Sequence, residues 1–152
     1  MIVSLGPKLT ITLALLCAIA GCGNPGRTNK QEEESSLKPL AKFYGDFVNQ
    51  HRGKPPANED EFKTFLKEAS NTNLLKAEFQ ITDIDKLFIS SRDNQPYVIY
   101  YGTISQSQGP GGAPVVAYEK TGVNGKRFVA SVLGGVVQLD ETAFSNMIKD
   151  PR

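Results

Sequence analysis

The sequence predicts an α+β fold in which two N-terminal helices pack on a four- to five-stranded antiparallel meander. Apolar residues recur at helical spacing in residues 37–51 and 59–69, whereas β-branched and aromatic residues dominate short runs after Asp85. Turn residues separate those runs. The chain has 152 residues, 39% hydrophobic and 22% charged, which suits one globular domain that we place at residues 37–152.

The first predicted helix spans about residues 37–51. Ser36 is a predicted N-cap, and Pro39 fits the first turn of a helix. Gly53 and the prolines after it end the helix. The residues that share its apolar face are Leu37, Leu40, Phe43, Tyr44, Phe47 and Val48.

The second predicted helix spans about residues 59–69. Asn58 and Glu61 have the spacing of a capping box, in which each side chain accepts a hydrogen bond from a free backbone N–H group. Phe62 and Phe65 lie on its apolar face. The pattern in residues 71–85 is ambiguous, and we expect a short turn of helix with loop there.

Five short runs are predicted strands, and the turn residues between them predict a meander. The runs cover residues 87–91, 96–102, 114–120, 126–133 and 136–139. In the fourth run both alternating sets of side chains are largely apolar, which indicates a central strand covered on both faces. Asp140 then caps a short C-terminal helix with Phe144, Met147 and Ile148 on one face.

A leader precedes the predicted domain. Residues 9–21 are almost all apolar and follow Lys8, as in a secretory signal. The run is shorter than the roughly 20 apolar residues of a membrane-spanning helix. It ends with the letters IAGC at Cys22, which resemble the lipobox of bacterial lipoproteins.

The lipobox resemblance implies that residues 1–21 are a signal peptide and that Cys22 carries the lipid, a diacylglyceryl thioether with fatty acids such as palmitate. An ordinary signal peptide is the alternative. Cys17 leaves with the leader, so no thiol remains for a disulfide partner. Gly23 stands where an aspartate would favour the inner membrane, so the lipoprotein sorting rule favours the outer membrane, facing the periplasm.

Residues 22–36 are the predicted lipidated cysteine and flexible tether, because residues 23–36 have no aliphatic or aromatic side chain. We interpret the acidic run Glu32 to Glu34 as solvated linker, with a metal or cationic-partner site as the alternative. Loss of Lys8 reduces the 17 basic residues to 16, equal to the 16 acidic ones. Charges of both signs are interleaved, so nucleic acid is not an expected partner.

No catalytic, cofactor or metal site is predicted in the domain. His51 is the only histidine, and at a helix end it is better explained by contact with carbonyl groups than by general base catalysis. The processed chain has no cysteine nucleophile and no Gly-x-Ser-x-Gly motif. Zinc needs several His or Cys ligands, and the spacing of Asp83, Asp85 and Asp93 does not match a calcium-binding loop.

Two further features have a binding interpretation and a simpler one. Residues 109–112 are not followed by the Lys-Ser or Lys-Thr of a P-loop, so residues 104–113 are a predicted mobile loop between strands. Tyrosines on neighbouring strands can form a binding platform, but they are also common at half-buried sheet positions, which we favour here. They are Tyr97, Tyr100, Tyr101 and Tyr118.

Residues 114–139 resemble the C-terminal part of pilin-like and pseudopilin-like domains of the H-x9-DG type, in which two strands flank a tight Asp-Gly turn. Asn124 stands where the family has histidine, and Gly134 replaces the aspartate while Gly135 keeps the glycine. The resemblance implies a related fold. It does not imply fibre assembly, because this chain has a lipobox leader and a polar tether in place of the long apolar N-terminal helix of pilins.

The expected function is that of a non-catalytic envelope module that binds or scaffolds another envelope component. A small periplasmic hydrolase is the alternative, and it requires a pocket that gathers Asp93, Glu119 or Arg127. Ligand binding on the tyrosine-bearing face of the sheet is a third hypothesis.

Overall fold

The computed structural model describes residues 36–152. The predicted signal peptide, the lipid-attachment residue Cys22 and all of the predicted tether except Ser36 lie outside the described residues. Within residues 36–152, no helix has the length and apolar content needed to cross a membrane.

Three α-helices and a 3-10 helix precede the sheet in the described part of the chain. Their bounds are Leu37–Gln50 for α1, Glu59–Leu66 for α2, Ala69–Phe79 for α3 and Ile84–Phe88 for the 3-10 helix.

The start of α1 differs from the prediction. The backbone of Ser36 is already helical, and its side chain makes no capping hydrogen bond. The Ser36 hydroxyl instead pairs with the hydroxyl of Tyr97 at 2.5 Å. Ser36 occupies the predicted N-cap position, but its hydroxyl bonds to the sheet and not to the first turn of α1.

The predicted Asn58 cap of α2 is confirmed, whereas Glu61 bonds to the residue before the cap and not to the Asn58 N–H that a capping box requires. The backbone N–H of Glu61 donates to Asn58 Oδ1 at 2.9 Å, and the Glu61 carboxylate accepts a hydrogen bond from the backbone of Ala57. These contacts satisfy N–H groups that have no partner within the first turn of a helix.

The prediction of two N-terminal helices was incomplete, because α3 is an 11-residue helix where only a short turn of helix with loop was expected. Only Asn71 and Leu75 of this helix are buried, so its sequence has little helical periodicity. The side-chain amide of Asn71 donates to the Phe65 carbonyl at 2.7 Å. Asn71 thereby satisfies a carbonyl group at the end of α2.

Four antiparallel strands form a sheet in the order β1-β2-β3-β4. Their bounds are Tyr97–Ile99 for β1, Val115–Glu119 for β2, Lys126–Ser131 for β3 and Val136–Asp140 for β4. The predicted C-terminal helix, α4, follows at Glu141–Met147. Its predicted cap is confirmed, since Asp140 Oδ1 accepts a hydrogen bond from the Ala143 N–H at 2.8 Å.

The first of the five predicted strands, residues 87–91, does not form. Leu87 and Phe88 are buried, but they end the 3-10 helix, and Ile89 makes only an isolated bridge to Pro96. A short apolar run indicates that its residues are buried, but it does not distinguish a strand from a buried turn.

The hairpin between β2 and β3 turns at Asn124 and Gly125, as their sequence predicts. Their φ angles are 53° and 68°, and a type I′ turn requires positive φ at both central residues. The turn reverses the chain so that β2 and β3 pair with Tyr118 opposite Val129 and Ala117 opposite Ala130.

Side chains cover β3 on both faces, which confirms the prediction of a central strand. Phe128 and Ala130 pack with the helices, whereas Val129 packs with Phe144 of α4. Helix α1 approaches the β3–β4 hairpin closely because Gly45 lies against the Val132 carbonyl, where a Cβ atom would clash. Each buried phenylalanine contributes about 2 kcal/mol, so aromatic packing holds the helices on the sheet.

Candidate functional site

Two hollows meet at Ile89, which is 41% exposed. The first, which we name the tether-side groove, has a volume of about 530 Å³ and is walled by Phe79, Ile81 and Ile89 next to Ser36. The second, which we name the edge cleft, has a volume of about 360 Å³ and lies between α2 and β1. Residues that line the edge cleft include Glu59, Lys63, Asp85, Phe88, Ile99 and Tyr101.

The free side of β1 forms one wall of the edge cleft. On its other side β1 pairs with β2, with Val98 opposite Tyr118, and the Tyr100 N–H donates to the Val116 carbonyl at 2.9 Å. Because hydrogen-bonding direction alternates along an antiparallel strand, the N–H and C=O of Ile99 point away from β2. Among the described strands, none pairs with this side of β1.

Three charged side chains form an ion-pair cluster at the edge cleft. The Lys63 ammonium lies 2.7 Å from Asp85 Oδ1 and 2.8 Å from Glu59 Oε1. Hydrogen bonds to Asp85 and Glu59 raise the pKa of Lys63, and the hydrogen bond from Lys63 lowers the pKa of Asp85. The three side chains together therefore carry one net negative charge, and Asp85 is an ion-pair partner of Lys63.

Tyr101 lines the same cleft and has an unsatisfied polar group. Its hydroxyl is buried and has no hydrogen-bond partner within residues 36–152. Burial raises the pKa of Tyr101, so the phenol is neutral and remains a potential donor. Leaving such a group unpaired costs about 1–3 kcal/mol.

Glu119 forms a buried network on the sheet. The carboxylate is 1% exposed and accepts hydrogen bonds from Arg92 at 2.9 Å, Ser90 at 3.0 Å and the Phe128 N–H at 2.8 Å. The guanidinium of Arg92 also lies over the Phe128 ring, 4.7 Å from its centroid. Burial raises the pKa of Glu119 despite these contacts, and the network ties the turn before β1 to β2 and β3.

The structure does not gather Asp93, Glu119 and Arg127 into the pocket that a hydrolase requires. Arg127 binds Glu141 at 2.8 and 2.9 Å at an exposed position, and Asp93 accepts N–H groups from Gln95 and Gly122 in neighbouring turns. Glu119 pairs with Arg92 instead. This partner was missed by the sequence analysis, although a lone acid in the apolar strand VVAYE is a signal that a buried charge needs one.

A second network fixes the last described residues against the sheet. Asp150 Oδ1 accepts hydrogen bonds from Ser107 at 2.6 Å, Ser105 at 3.1 Å and Tyr100 at 3.3 Å. Burial raises the pKa of Asp150, but the hydrogen bonds from Ser107 and Ser105 outweigh burial and hold the pKa below its usual value. Ser105 and Ser107 are buried, so this part of the predicted loop of residues 104–113 is anchored.

The remaining candidate residues have structural roles. His51 Nδ1 donates to the Phe47 carbonyl at 2.8 Å, and its ring stacks on the Phe47 ring at 3.8 Å, which confirms the helix-terminal interpretation. Asp83 accepts from the Asp85 N–H at 3.1 Å and caps the 3-10 helix. In residues 36–152 no group of three or more acidic, histidine or cysteine side chains is placed to hold a metal ion.

The tyrosines do not form an exposed platform. Tyr97, Tyr100 and Tyr118 are buried, and Tyr101 is half-buried. Tyr100 and Tyr118 pack on one face of the sheet, whereas Tyr97 and Tyr101 pack on the helix face. The simpler interpretation is confirmed.

The glycine-rich segment is not a phosphate loop. Residues Pro110–Gly112 form a short 3-10 turn that leads directly into β2. A P-loop instead leads into a helix whose N-terminal N–H groups face the phosphate.

Comparisons with known proteins assign no family. No family model matches the chain, and no curated protein and no solved structure is significantly similar to it. The resemblances to bacterial lipoproteins and to pilin-like domains therefore remain predictions from the sequence.

Proposed function

We propose that the protein is a lipid-anchored, non-catalytic module of the bacterial envelope that binds an extended segment of another envelope protein in the edge cleft. One observation carries the proposal: β1 presents unpaired backbone groups of Ile99 to a cleft of about 360 Å³ with apolar walls. An extended peptide can add a strand to such an edge and place alternate side chains in the adjoining hollows.

The described groups suit this binding mode. Phe88 and Ile99 offer apolar surface for a side chain of the partner, while the Ile99 N–H and C=O offer main-chain hydrogen bonds. The net negative charge of Glu59, Lys63 and Asp85 favours a partner segment with a basic residue at that point.

Anchoring places the cleft close to a membrane. The proposed lipid is on Cys22, and 13 residues separate it from Ser36. A flexible chain of that length has an end-to-end distance of about 20 Å. The lipobox pattern favours the outer membrane, so the cleft would be presented to partners in the periplasm.

Binding is favoured over catalysis because the strongest candidates for acid–base chemistry have structural partners. Glu119 is held by Arg92, Ser90 and a backbone N–H, and Asp150 is held by hydroxyl groups. Neither carboxylate lines the tether-side groove or the edge cleft. A general acid or base must reach the substrate directly or through one water molecule.

Site-specific photo-crosslinking in the intact envelope tests the binding site. A photoreactive amino acid replaces Asp85, whose side chain is 76% exposed at the cleft, or Asn146, which is exposed on α4. We expect a discrete protein adduct from position 85 and none from position 146. We also expect Ile99→Pro to reduce that adduct, because it removes an outward N–H while proline is tolerated on edge strands.

Because Ile99 is buried, the Ile99→Pro result counts only if circular dichroism shows the variant folded; a second variant, Pro96→Trp, fills the cleft from an exposed position. The absence of adducts from position 85, or equal adducts from both positions, would contradict the proposal. Adducts that still form in both the Ile99→Pro and the Pro96→Trp variants would show that the partner binds outside the edge cleft.

A further inference from the structure

The tether-side groove lies where the described part of the chain begins. Ser36 belongs to its lining, beside Phe79, Ile81 and Ile89. The groove therefore presents apolar side chains at the point from which the chain continues toward Cys22. A surface that lies close to the tether could therefore contact this groove without a change in the orientation of the folded domain.

We infer that the lipid bilayer occupies this groove, with Ile89 inserted between lipid headgroups. The inference rests on the proposed lipid at Cys22. With the flexible tether that the sequence predicts, the 13 residues between Cys22 and Ser36 would separate the two by about 20 Å on average. Because anchoring makes the contact intramolecular, even a weak apolar contact is populated.

Charge in the groove favours a lipid surface as the occupant. Lys86 is the one charged residue of its lining, and it is exposed with no ion-pair partner among residues 36–152. The polar rim is otherwise neutral, formed by serines and Asn94. A lysine beside inserted apolar side chains matches anionic headgroups above an acyl layer.

A tryptophan reporter tests the docking, because the chain has no tryptophan of its own. The lipidated Ile89→Trp protein is reconstituted into vesicles of phosphatidylethanolamine and phosphatidylglycerol, with and without brominated acyl chains. Insertion at the headgroup and acyl boundary predicts about a twofold loss of emission in brominated vesicles. The matched control is Asn146→Trp, which is exposed on α4 across the sheet, and we expect its emission to be unchanged.

Charge is tested in the same assay. Lys86→Glu in the Ile89→Trp background weakens the quenching, as does replacement of phosphatidylglycerol by a zwitterionic lipid. Equal quenching of the two tryptophan variants, or none for Ile89→Trp with the lipid on Cys22 confirmed by mass, overturns the docking and leaves the groove to a protein partner. An unlipidated Cys22 overturns the proposed anchoring and the docking together.

Discussion

Glu119 and Asp150 both tie distant parts of the chain together, but they lie at different depths. Glu119 is 1% exposed and faces the guanidinium of Arg92, whereas Asp150 is half-buried and faces hydroxyl groups. Burial raises the pKa of Glu119. For Asp150, hydrogen bonds outweigh burial and lower the pKa. Depth thus decides whether a carboxylate needs an opposite charge or only neutral donors.

The largest expected effect comes from removing the deeper carboxylate. Glu119→Ala leaves the Arg92 guanidinium and the Phe128 N–H without their partner. Breaking a buried pair in this way costs about 3–5 kcal/mol of unfolding free energy. Urea denaturation followed by circular dichroism measures the loss.

The matched control for Glu119→Ala is Glu141→Ala, which breaks an exposed ion pair with Arg127 and leaves the hydrogen bond from Arg127 to the Lys120 carbonyl in place. Exposed pairs contribute roughly 0–1 kcal/mol. If Glu119→Ala lowered the free energy of unfolding by no more than this control does, the depth of a carboxylate would not determine how much its contacts stabilise the fold.

A smaller effect is expected at the shallower carboxylate. Asp150→Asn removes the charge that accepts hydrogen bonds from Ser105, Ser107 and Tyr100. Asparagine keeps one acceptor oxygen but loses the charge, and hydrogen bonds to charged groups are stronger than neutral ones, so we expect a loss of about 1 kcal/mol at neutral pH. The folded-state pKa of Asp150 is lowered, so its contribution is present above the ordinary pKa of about 3.9 and is lost as the pH falls through the lower folded value.

Denaturation of the wild type and the Asp150→Asn variant at several pH values between neutral and strongly acidic checks this sign. We expect the difference in unfolding free energy between the wild type and the variant to narrow as the pH falls. Glu119 has the opposite sign, because its raised pKa makes its contribution strongest below the ordinary glutamate pKa and weaker as the pH rises through the folded value. A gap that widened on acidification would show that Asp150 is not held as a carboxylate.

Local patterns predicted most of the secondary structure. The cap at Asn58 and the turn at Asn124 and Gly125 depend on neighbouring residues, and both occur as expected. The length of helix α3 was underestimated because the helix buries only two residues. Residues 87–91 were misassigned because the run packs as a buried turn, and periodicity does not separate the two.

The candidate site was less predictable, because its contacts join residues far apart in the sequence. Arg92 and Glu119 are 27 positions apart, and Ser107 and Asp150 are 43 apart. The edge cleft likewise needs α2, the 3-10 helix and β1 to come together. The residue types along one strand do not show whether that strand lies at the edge of the sheet. The edge cleft could therefore be identified only from the order of the strands in the structure.

Mass spectrometry of the mature protein from membranes tests the central claim most directly. We expect an N-terminal peptide that begins at Cys22 and carries the mass of attached acyl chains, with residues 1–21 removed. An unmodified sulfur at Cys22, or a mature product that retains the leader, would contradict the account of a folded body tethered to the bilayer by lipid.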